Sequence, residues 1–387
     1  MTEKESALYS HYIIDGIRTD MSPAELLEEC MEAGKYDFPD CEEFEDIIDE
    51  TTEPPLTTFA HDGDKCAEYA SRLAAEVIKE RPFQILYPEH FTRLRIAKAL
   101  LERLWSDGHF RLGDLRMWAQ WEWNARPIGN MAAFYRSVSS ASEYLYGLGV
   151  TLSDYIFMES DHQSSAKFFS WLPEIDGSDD SDDTTSEAVL FKASPYESSH
   201  PWISESRKCP SQFLNDPKSW ILYIPFDTCS FRLGGSLLAQ INGHNGGQPP
   251  KIMDPDYFID CYEVLRELVE DGIVMSGTTV ADGGLGTAIQ RMCGEGGMDV
   301  DPGGIASSYQ DDDPVRLMFG ETPGVIVQIS DDNYDYVDSQ FILQDIAYYP
   351  IGRISSAHTG IRLVRNSRNG VADILASLLT QTSEGED

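Results

Sequence analysis

Two short runs that contain paired glycines constrain the fold of this chain more than any other feature. They are RLGGSLLAQ at 232–240 and VADGGLGTAIQRM at 280–292. In each run the glycines stand where a strand is predicted to turn into an apolar helix, and glycine lets the backbone come close to a phosphate or to another strand. Paired glycines alone are weak evidence, because they more often make tight turns. Anion binding and close packing therefore both remain open for these turns.

The rest of the chain alternates between helical and extended patterns, which predicts an α+β fold. Apolar residues at helical spacing predict helices at 92–105, 132–148, 237–242 and 255–271. Short apolar runs predict strands at 83–87, 115–123, 188–192, 220–225, 275–280 and 325–330. The segment GSDDSDDTTS at 177–186 is poor in apolar residues, so it indicates a solvated loop or a seam between two domains.

The chain is strongly acidic, with 66 Asp and Glu against 29 Lys and Arg and a net charge of −37. Such a surface repels nucleic acid and anionic membranes, so we expect neither as a partner. No apolar run approaches the 18 residues of a membrane span, which predicts a soluble, cytoplasmic protein. Adaptation to high salt, a solubility surface and a surface for a basic partner all remain open as explanations of the acidity.

The sequence predicts no metal site and no disulfide framework. Its seven cysteines are scattered and never form a CxxC pair, so buried reduced thiols are expected. The acidic run at 179–183 lacks the glycine and the terminal glutamate of an EF-hand loop.

Two further runs follow the glycine turns, RLMFGETPGVIVQI at 316–329 and IGRI at 351–354. In this order and spacing, the four runs strongly resemble the large form of phosphoribosylformylglycinamidine synthase, the glutamine- and ATP-dependent amidotransferase of purine biosynthesis. They resemble in particular its second half, which is similar to aminoimidazole ribonucleotide synthetase. Fainter similarity extends the resemblance over roughly residues 80–355.

The resemblance implies a two-domain fold of the aminoimidazole-ribonucleotide-synthetase type. An N-terminal domain at 60–186 would contribute a sheet that pairs across a dimer interface, and a C-terminal domain at 187–358 would form an α/β sandwich. An acidic extension at 1–59 and a tail at 359–387 would flank them. The resemblance also implies candidate phosphate- or nucleotide-binding residues, which are Arg232, Gly234, Gly235, Ser236, Asp282, Gly283 and Gly284.

The chain departs from the family where the family binds magnesium. The carboxylate, asparagine and aspartate positions of the family's metal site hold Lys98, Glu102 and Thr279. Magnesium requires hard anionic oxygens, and a lysine ammonium supplies none. Glu102 could compensate only by pairing with Lys98, four residues earlier on the same helix face. No metal and no cofactor are therefore expected, and Mg-ATP would bind only if the site survives in altered form.

Two hypotheses about function follow, and whether the chain is an enzyme stays open. Nothing in the sequence resembles the family's glutaminase domain or its first synthetase-like half, so we assign no catalytic residue. The first hypothesis is a non-catalytic relative that acts as a binding or scaffolding protein. The alternative is a subunit of an ATP-dependent formylglycinamidine ribonucleotide synthase whose glutaminase and first half are on other chains.

The expected partners follow from the sheet of the N-terminal domain. A half-length relative would expose an edge of that sheet, and exposed edges pair readily with other strands. We therefore predict a homodimer, or association with a synthase-like chain, through the region around Arg116–Asn124. Trp118 and Trp121 would lie at the seam.

Overall fold

The structure is a computed structural model that describes residues 7–32, 63–77, 81, 83–173, 207–243 and 247–364. The predicted seam at 177–186, the acidic run at 179–183 and the predicted strand at 188–192 lie outside these residues. Most of the predicted N-terminal extension and C-terminal tail also lie outside them.

The N-terminal part begins with a short hairpin, β1 (Ile13–Ile14) and β2 (Ile17–Arg18), and a helix, α1 (Pro23–Met31). Ser22 caps α1 through a capping box with Glu25. Two helices follow, α2 (Gly63–Glu76) and α3 (Pro88–Leu101).

The helix predicted at 92–105 thus begins four residues earlier, at a proline that favours the first helical position. It ends at Leu101 and continues as a 3-10 turn over Glu102–Trp105. The strand predicted at 83–87 is wrong: the Tyr87 amide donates to the Gln84 carbonyl oxygen at 3.2 Å and closes a turn.

A three-stranded sheet forms the centre of this part, in the order β4-β3-β5. Its strands are β3 (Arg116–Trp123), β4 (Thr151–Glu159) and β5 (Ser165–Trp171), and α4 (Asn130–Gly147) connects β3 to the parallel β4. β5 runs antiparallel to β3. The predicted strand at 115–123 and the predicted helix at 132–148 are confirmed to within two residues.

The tryptophans of β3 pack inside the monomer. The Trp121 indole N–H donates to Ser137 Oγ at 3.0 Å, and that of Trp123 donates to the Asn130 carbonyl oxygen at 2.8 Å. Trp118 is buried against Phe169 of β5. Since β3 is the central strand of the sheet, its backbone offers no edge to another chain, and the predicted seam at these tryptophans is wrong. Pairing of this sheet with a partner would have to use β4 or β5.

The C-terminal part is a six-stranded sheet in the order β11-β8-β10-β6-β9-β7. The strands are β6 (Trp220–Pro225), β7 (Val274–Val280), β8 (Gly297–Val300), β9 (Gly324–Ile329), β10 (Tyr349–Ser355) and β11 (Gly360–Leu363). The helices are α5 (Leu237–Ile241), α6 (Pro255–Glu270), α7 (Gly284–Cys293), α8 (Gly303–Tyr309), α9 (Pro314–Phe319) and α10 (Tyr334–Leu343). Every strand pair is antiparallel except β11 with β8.

Side chains on the central strands alternate between two hydrophobic clusters, as the pleat of a strand requires. On β6, Leu222 and Ile224 join a cluster with α6 and the N-terminal part, whereas Ile221 and Tyr223 join a cluster with α2, α7 and α9. Helices therefore cover both faces of the sheet, which confirms the expected α+β class and the C-terminal sandwich. The first cluster also joins the two parts of the chain into one packed body.

Among the described residues, no helix has the length and apolar character needed to cross a membrane. The six cysteines in this part of the chain are free thiols, and all but Cys229 are buried.

Candidate functional site

Both glycine runs lead into helices. Gly283 (φ +79°) and Gly284 (φ +70°) carry the chain from β7 into α7, in a conformation that side chains rarely adopt. Gly235 (φ +64°) precedes Ser236, whose hydroxyl caps α5 by accepting the Ala239 amide N–H at 3.2 Å. The turns predicted from the sequence are thus present.

The packing around these glycines leaves no room for a side chain. A Cβ atom on Gly284 would lie 2.7 Å from the carbonyl oxygen of Gly320. A Cβ on Gly234 would overlap the backbone of Gln248, and one on Gly235 would overlap the ring of Phe91. Close packing of backbone is therefore sufficient reason for glycine at these positions.

The amide groups at the two helix starts are bound by a carboxylate of the chain itself. Glu321 Oε1 accepts the Leu237 amide N–H at 2.7 Å and the Gly283 amide N–H at 2.7 Å. Helix N-termini favour anions because their first amides lack backbone partners. The buried Glu321 carboxylate fills that role at both turns.

Arg81 links the two turns from outside the C-terminal sheet. Its Nη1 contacts Asp282 Oδ1 at 2.5 Å and Glu321 Oε2 at 2.9 Å, and its Nη2 donates to the Gly235 carbonyl oxygen at 2.7 Å. Lys98 Nζ contacts the other oxygen of Asp282. Lys98 therefore pairs across the fold with Asp282, whereas the helix spacing allowed a pair with Glu102. We call Arg81, Lys98, Asp282 and Glu321 the ion-pair cluster.

The ion-pair cluster shifts the protonation equilibria of its members. Burial alone would raise the pKa of Asp282, but Lys98 and Arg81 outweigh it and hold that pKa below its ordinary value. Burial raises the pKa of Glu321, although Arg81 opposes the shift. Burial lowers the pKa of Arg81 less than Glu321 and Asp282 raise it, so its guanidinium stays charged.

Lys98 and Thr279, which the sequence resemblance places at magnesium-ligand positions, have partners within the chain. Lys98 places an ammonium against Asp282, and the Thr279 hydroxyl accepts the Trp105 indole N–H at 3.0 Å. Across the described ranges, no group of three or more His, Cys, Asp or Glu residues is arranged to hold a metal ion. Neither Lys98 nor Thr279 carries an anionic oxygen, which is the donor that magnesium prefers.

A cavity of about 530 Å³ opens beside the ion-pair cluster, between α3, β5 and the start of α7. Its apolar wall includes Phe91, Leu94, Phe168 and Pro323. Among the described residues, its charged lining includes the cationic side chains of Arg81, Arg95, Lys98, Arg103 and Lys167 and the anionic ones of Glu102, Asp282 and Glu321. Pockets of this size and mixed character are typical of small-molecule sites.

Of the seven predicted binding residues, the structure places Asp282 in the lining of this cavity. Arg232 lies away from the cavity lining and contacts the side-chain oxygen of Gln248. Sequence reasoning missed Arg81 and Glu321. The run FGETPG contains Glu321, and a carboxylate in an otherwise apolar, glycine-rich segment is the signal that could have pointed to it.

Comparison with known proteins finds one matching domain family and several more distant full-length relatives. Residues 228–364 match the C-terminal domain of the AIR synthase related protein family. A probable phosphoribosylformylglycinamidine synthase of Arabidopsis thaliana is 24% identical over 285 residues, which cover 72% of this chain and 18% of that protein. Human phosphoribosylformylglycinamidine synthase is 24% identical over 270 residues, which cover 67% of this chain and 18% of that protein. The chain spans less than a quarter of the length of the curated relatives that it matches.

Solved structures give matches of lower similarity. Thermotoga maritima PurL in complex with FGAR aligns with a TM-score of 0.48 at 11% identity and covers 74% of this chain and 42% of that one. The hydrogenase maturation protein HypE in complex with ATP aligns with a TM-score of 0.46 at 12% identity. The alignment covers 71% of this chain and 76% of that one.

The C-terminal part of the chain is thus similar to the C-terminal domain of AIR synthase related proteins. Over about two thirds of its length or more, the chain is similar to part of phosphoribosylformylglycinamidine synthases, which is the resemblance that the sequence motifs indicated.

Proposed function

We propose that this chain is a non-catalytic relative of phosphoribosylformylglycinamidine synthase that acts as a binding or scaffolding protein. The observation that carries the proposal is the ion pair between Lys98 and Asp282. Asp282 is the acidic residue of the glycine turn, and the ammonium of Lys98 lies where a cation would approach it.

Electrostatics opposes a magnesium ion at this position. At about 4 Å and an effective dielectric constant near 20, two unit charges interact by about 4 kcal/mol, and a divalent ion doubles that figure. Magnesium would therefore have to displace Lys98 and also lie near Arg81, which contacts the same carboxylate. Without the ion, the triphosphate of ATP would lose the bridge that normally holds it.

A thermal scan tests this directly. Millimolar Mg-ATP or Mg-ADP should not raise the melting temperature of the purified chain, although binding at a hundredfold over Kd would add about 2.7 kcal/mol and be easily seen. A clear rise that disappears in Asp282→Ala would show that the nucleotide site survives, and the proposal would fail.

An activity assay separates the two functional hypotheses. With ammonia in place of glutamine, the chain alone should make no formylglycinamidine ribonucleotide, because that reaction still needs working ATP and substrate sites. Ammonia-dependent product that falls in Asp282→Ala would contradict a non-catalytic role. Product that forms only after a first-half chain is added would favour the subunit hypothesis.

For the scaffolding role we propose a homodimer, or a complex with a synthase-like chain, through an edge of the N-terminal sheet. The edges of this sheet are β4 and β5, and exposed edges readily accept another strand. Light scattering at micromolar concentration should give about twice the chain mass. A monomer across a range of salt, with no partner that co-purifies, would contradict it.

A further inference from the structure

Helix α10 has one buried side and one exposed apolar side. Val337 and Phe341 are fully buried, and they attach the helix to the hydrophobic cluster that joins the two parts of the chain. The opposite side carries Tyr336, Ile342 and Leu343, which are 47%, 66% and 74% exposed. Single exposed apolar side chains are common in soluble proteins, whereas a group of them marks an interaction surface. We call these three residues the α10 face.

The geometry of a helix brings the α10 face together as one surface. Tyr336 and Leu343 are seven residues apart, so they lie on the same side of the helix, about 10 Å from each other along its axis. Ile342 lies beside Leu343 in the last turn. A surface helix that served the fold alone would carry polar residues on this side. The α10 face is therefore suited to the apolar side of a second helix.

Aspartates accompany the α10 face along the chain. The segment 331–345 contains five of them and no lysine or arginine, so its negative charge per residue is more than three times the average of the chain. Arg353 contacts Asp331 at 3.2 Å and offsets one of these charges. Asp335 and Asp345 are exposed near the two ends of α10. The local charge therefore favours a partner with positive charge.

The same charges argue against a second copy of this chain on the α10 face. A symmetric contact would bring two identical acidic surfaces together, because the same patch is used by both copies. Like charges that face each other across an interface oppose binding. Nucleic acid and anionic membranes are disfavoured for the same reason. A basic protein segment is thus the occupant that the charges favour.

We propose that the α10 face binds a basic amphipathic helix of another protein. The partner would place apolar side chains, three, four and seven residues apart, against Tyr336, Ile342 and Leu343. Its lysines or arginines would flank that apolar side and face Asp335 and Asp345. Because the surface is only two to three helical turns long, the complex is transient, with a micromolar Kd. No residue of α10 is among the described residues that line the cavity, so this partner binds independently of the candidate functional site.

Synthetic peptides test the charge and the shape of the partner by calorimetry with the full chain. The first is a helical peptide of about 18 residues with leucine at helical spacing on one side and lysine on the other. The second replaces each lysine by glutamate, and the third has the composition of the first in an order without an apolar side. The first should bind with a micromolar Kd, the second should not bind, and the third should bind about tenfold more weakly. Sodium chloride at about 0.5 M should weaken binding of the first about tenfold, because salt screens the attraction.

Variants assign the binding to α10. Leu343→Ser and Tyr336→Ser should each weaken binding of the first peptide by about tenfold. Ile17→Ser is the matched control, because Ile17 is also 74% exposed but lies on β2. Asp345→Asn should weaken binding and its dependence on salt, and asparagine tolerates the left-handed backbone of this position (φ 55°). Glu295→Gln, in an exposed turn, should change neither.

The melting temperature of each variant checks that it is folded, so a loss of binding reports on the surface. If the first peptide does not bind, or if the glutamate peptide binds as tightly, the inference is overturned. Equal binding in wild type, Leu343→Ser and Tyr336→Ser would place the peptide elsewhere and also overturn it. A dimer in light scattering that Leu343→Ser converts to a monomer would show that a second copy occupies the α10 face. None of these results involves nucleotide or the cavity, so the proposed function is tested separately.

Discussion

The two sides of the cavity differ in how they relate to the family pattern. The C-terminal side keeps the glycine turns, with Gly234 and Gly284 packed against backbone from other segments. The N-terminal side, on α3, carries Lys98 and Glu102 at positions where the sequence resemblance implies a carboxylate and an asparagine. The C-terminal side therefore has the glycine turns that the resemblance implies, and the N-terminal side differs from it in charge.

Packing explains this difference. A glycine in van der Waals contact with backbone cannot be replaced without moving two segments, because the interior is close-packed. A side chain that faces a cavity can change its charge and cost little to the fold, as Lys98 shows by pairing with Asp282. Packing thus restricts the glycine turns, whereas the charge at position 98 is free to vary without a change in the fold.

The largest expected effect is on the C-terminal side of the cavity, at Gly284. Gly284→Ala should lower the free energy of unfolding by about 4 kcal/mol, because it combines a left-handed backbone conformation with overpacking against Gly320. Gly272→Ala is the matched control: its φ of +71° is nearly the same, yet no atom lies within 4 Å of the added Cβ.

The control should lose only about 1–2 kcal/mol, the cost of the left-handed conformation. Urea unfolding of both variants measures the difference. Equal losses would mean that conformation alone requires glycine at Gly284, and the packing explanation would fail.

A second effect tests the carboxylate that joins the two glycine turns. Glu321→Gln should lower the free energy of unfolding by about 3 kcal/mol. The change leaves the buried Arg81 with one carboxylate fewer, and it weakens the hydrogen bonds that Glu321 accepts from two backbone amides. Glu270→Gln is the control, since Glu270 pairs with the exposed ring of His109. That change should cost a few tenths of a kcal/mol. If urea unfolding gave a similar loss of stability for both variants, the charge of Glu321 would not stabilise the two glycine turns.

The acid side of the pH profile tests Asp282. Asp282→Asn should cost about 2 kcal/mol at pH 7, less than a fully buried pair because Lys98 is partly exposed. Lys98 and Arg81 hold the folded-state pKa of Asp282 below its ordinary value of 3.8. The stabilisation is therefore complete above about pH 4 and is lost as the pH falls through the lower, folded-state pKa.

The stability difference between wild type and Asp282→Asn should thus stay constant from pH 7 to about pH 4 and shrink below it. Urea unfolding of both proteins at several pH values measures this difference. If it already shrinks between pH 7 and pH 5, the pKa of Asp282 is raised and the ion pairs do not control it.

Much of the fold could be predicted from the sequence, because hydrophobic period and turn residues are local signals. The strand at 220–225 and the helix that begins at Pro255 were predicted with little or no error. The ion-pair cluster could not be predicted in the same way, since Arg81 is 201 residues from Asp282 and 240 from Glu321. Helix spacing allowed a pair between Lys98 and Glu102, but tertiary packing brings Asp282 to Lys98.

The smallest expected effect is on the N-terminal side of the cavity, at Lys98. It tests whether the charge at this position excludes a metal ion. Lys98→Glu places a carboxylate beside Asp282, with Glu102 and Glu321 also lining the cavity. Repulsion should lower the stability by about 1 kcal/mol, since the position is partly exposed. Magnesium should then bind weakly, because hard carboxylate oxygens now outnumber the cations near Asp282.

At a magnesium concentration about five times Kd, binding would restore about 1 kcal/mol, seen as a melting temperature that rises with magnesium. Lys98→Gln is the control, because it removes the ammonium without adding a ligand. Sodium chloride at equal ionic strength separates coordination from screening. A response in Lys98→Glu but not in Lys98→Gln or wild type would show that the turn at Asp282 still tolerates a cation and that Lys98 excludes it. An equal response in all three would mean that charge at position 98 does not decide metal binding, and the contrast between the two sides would rest on packing alone.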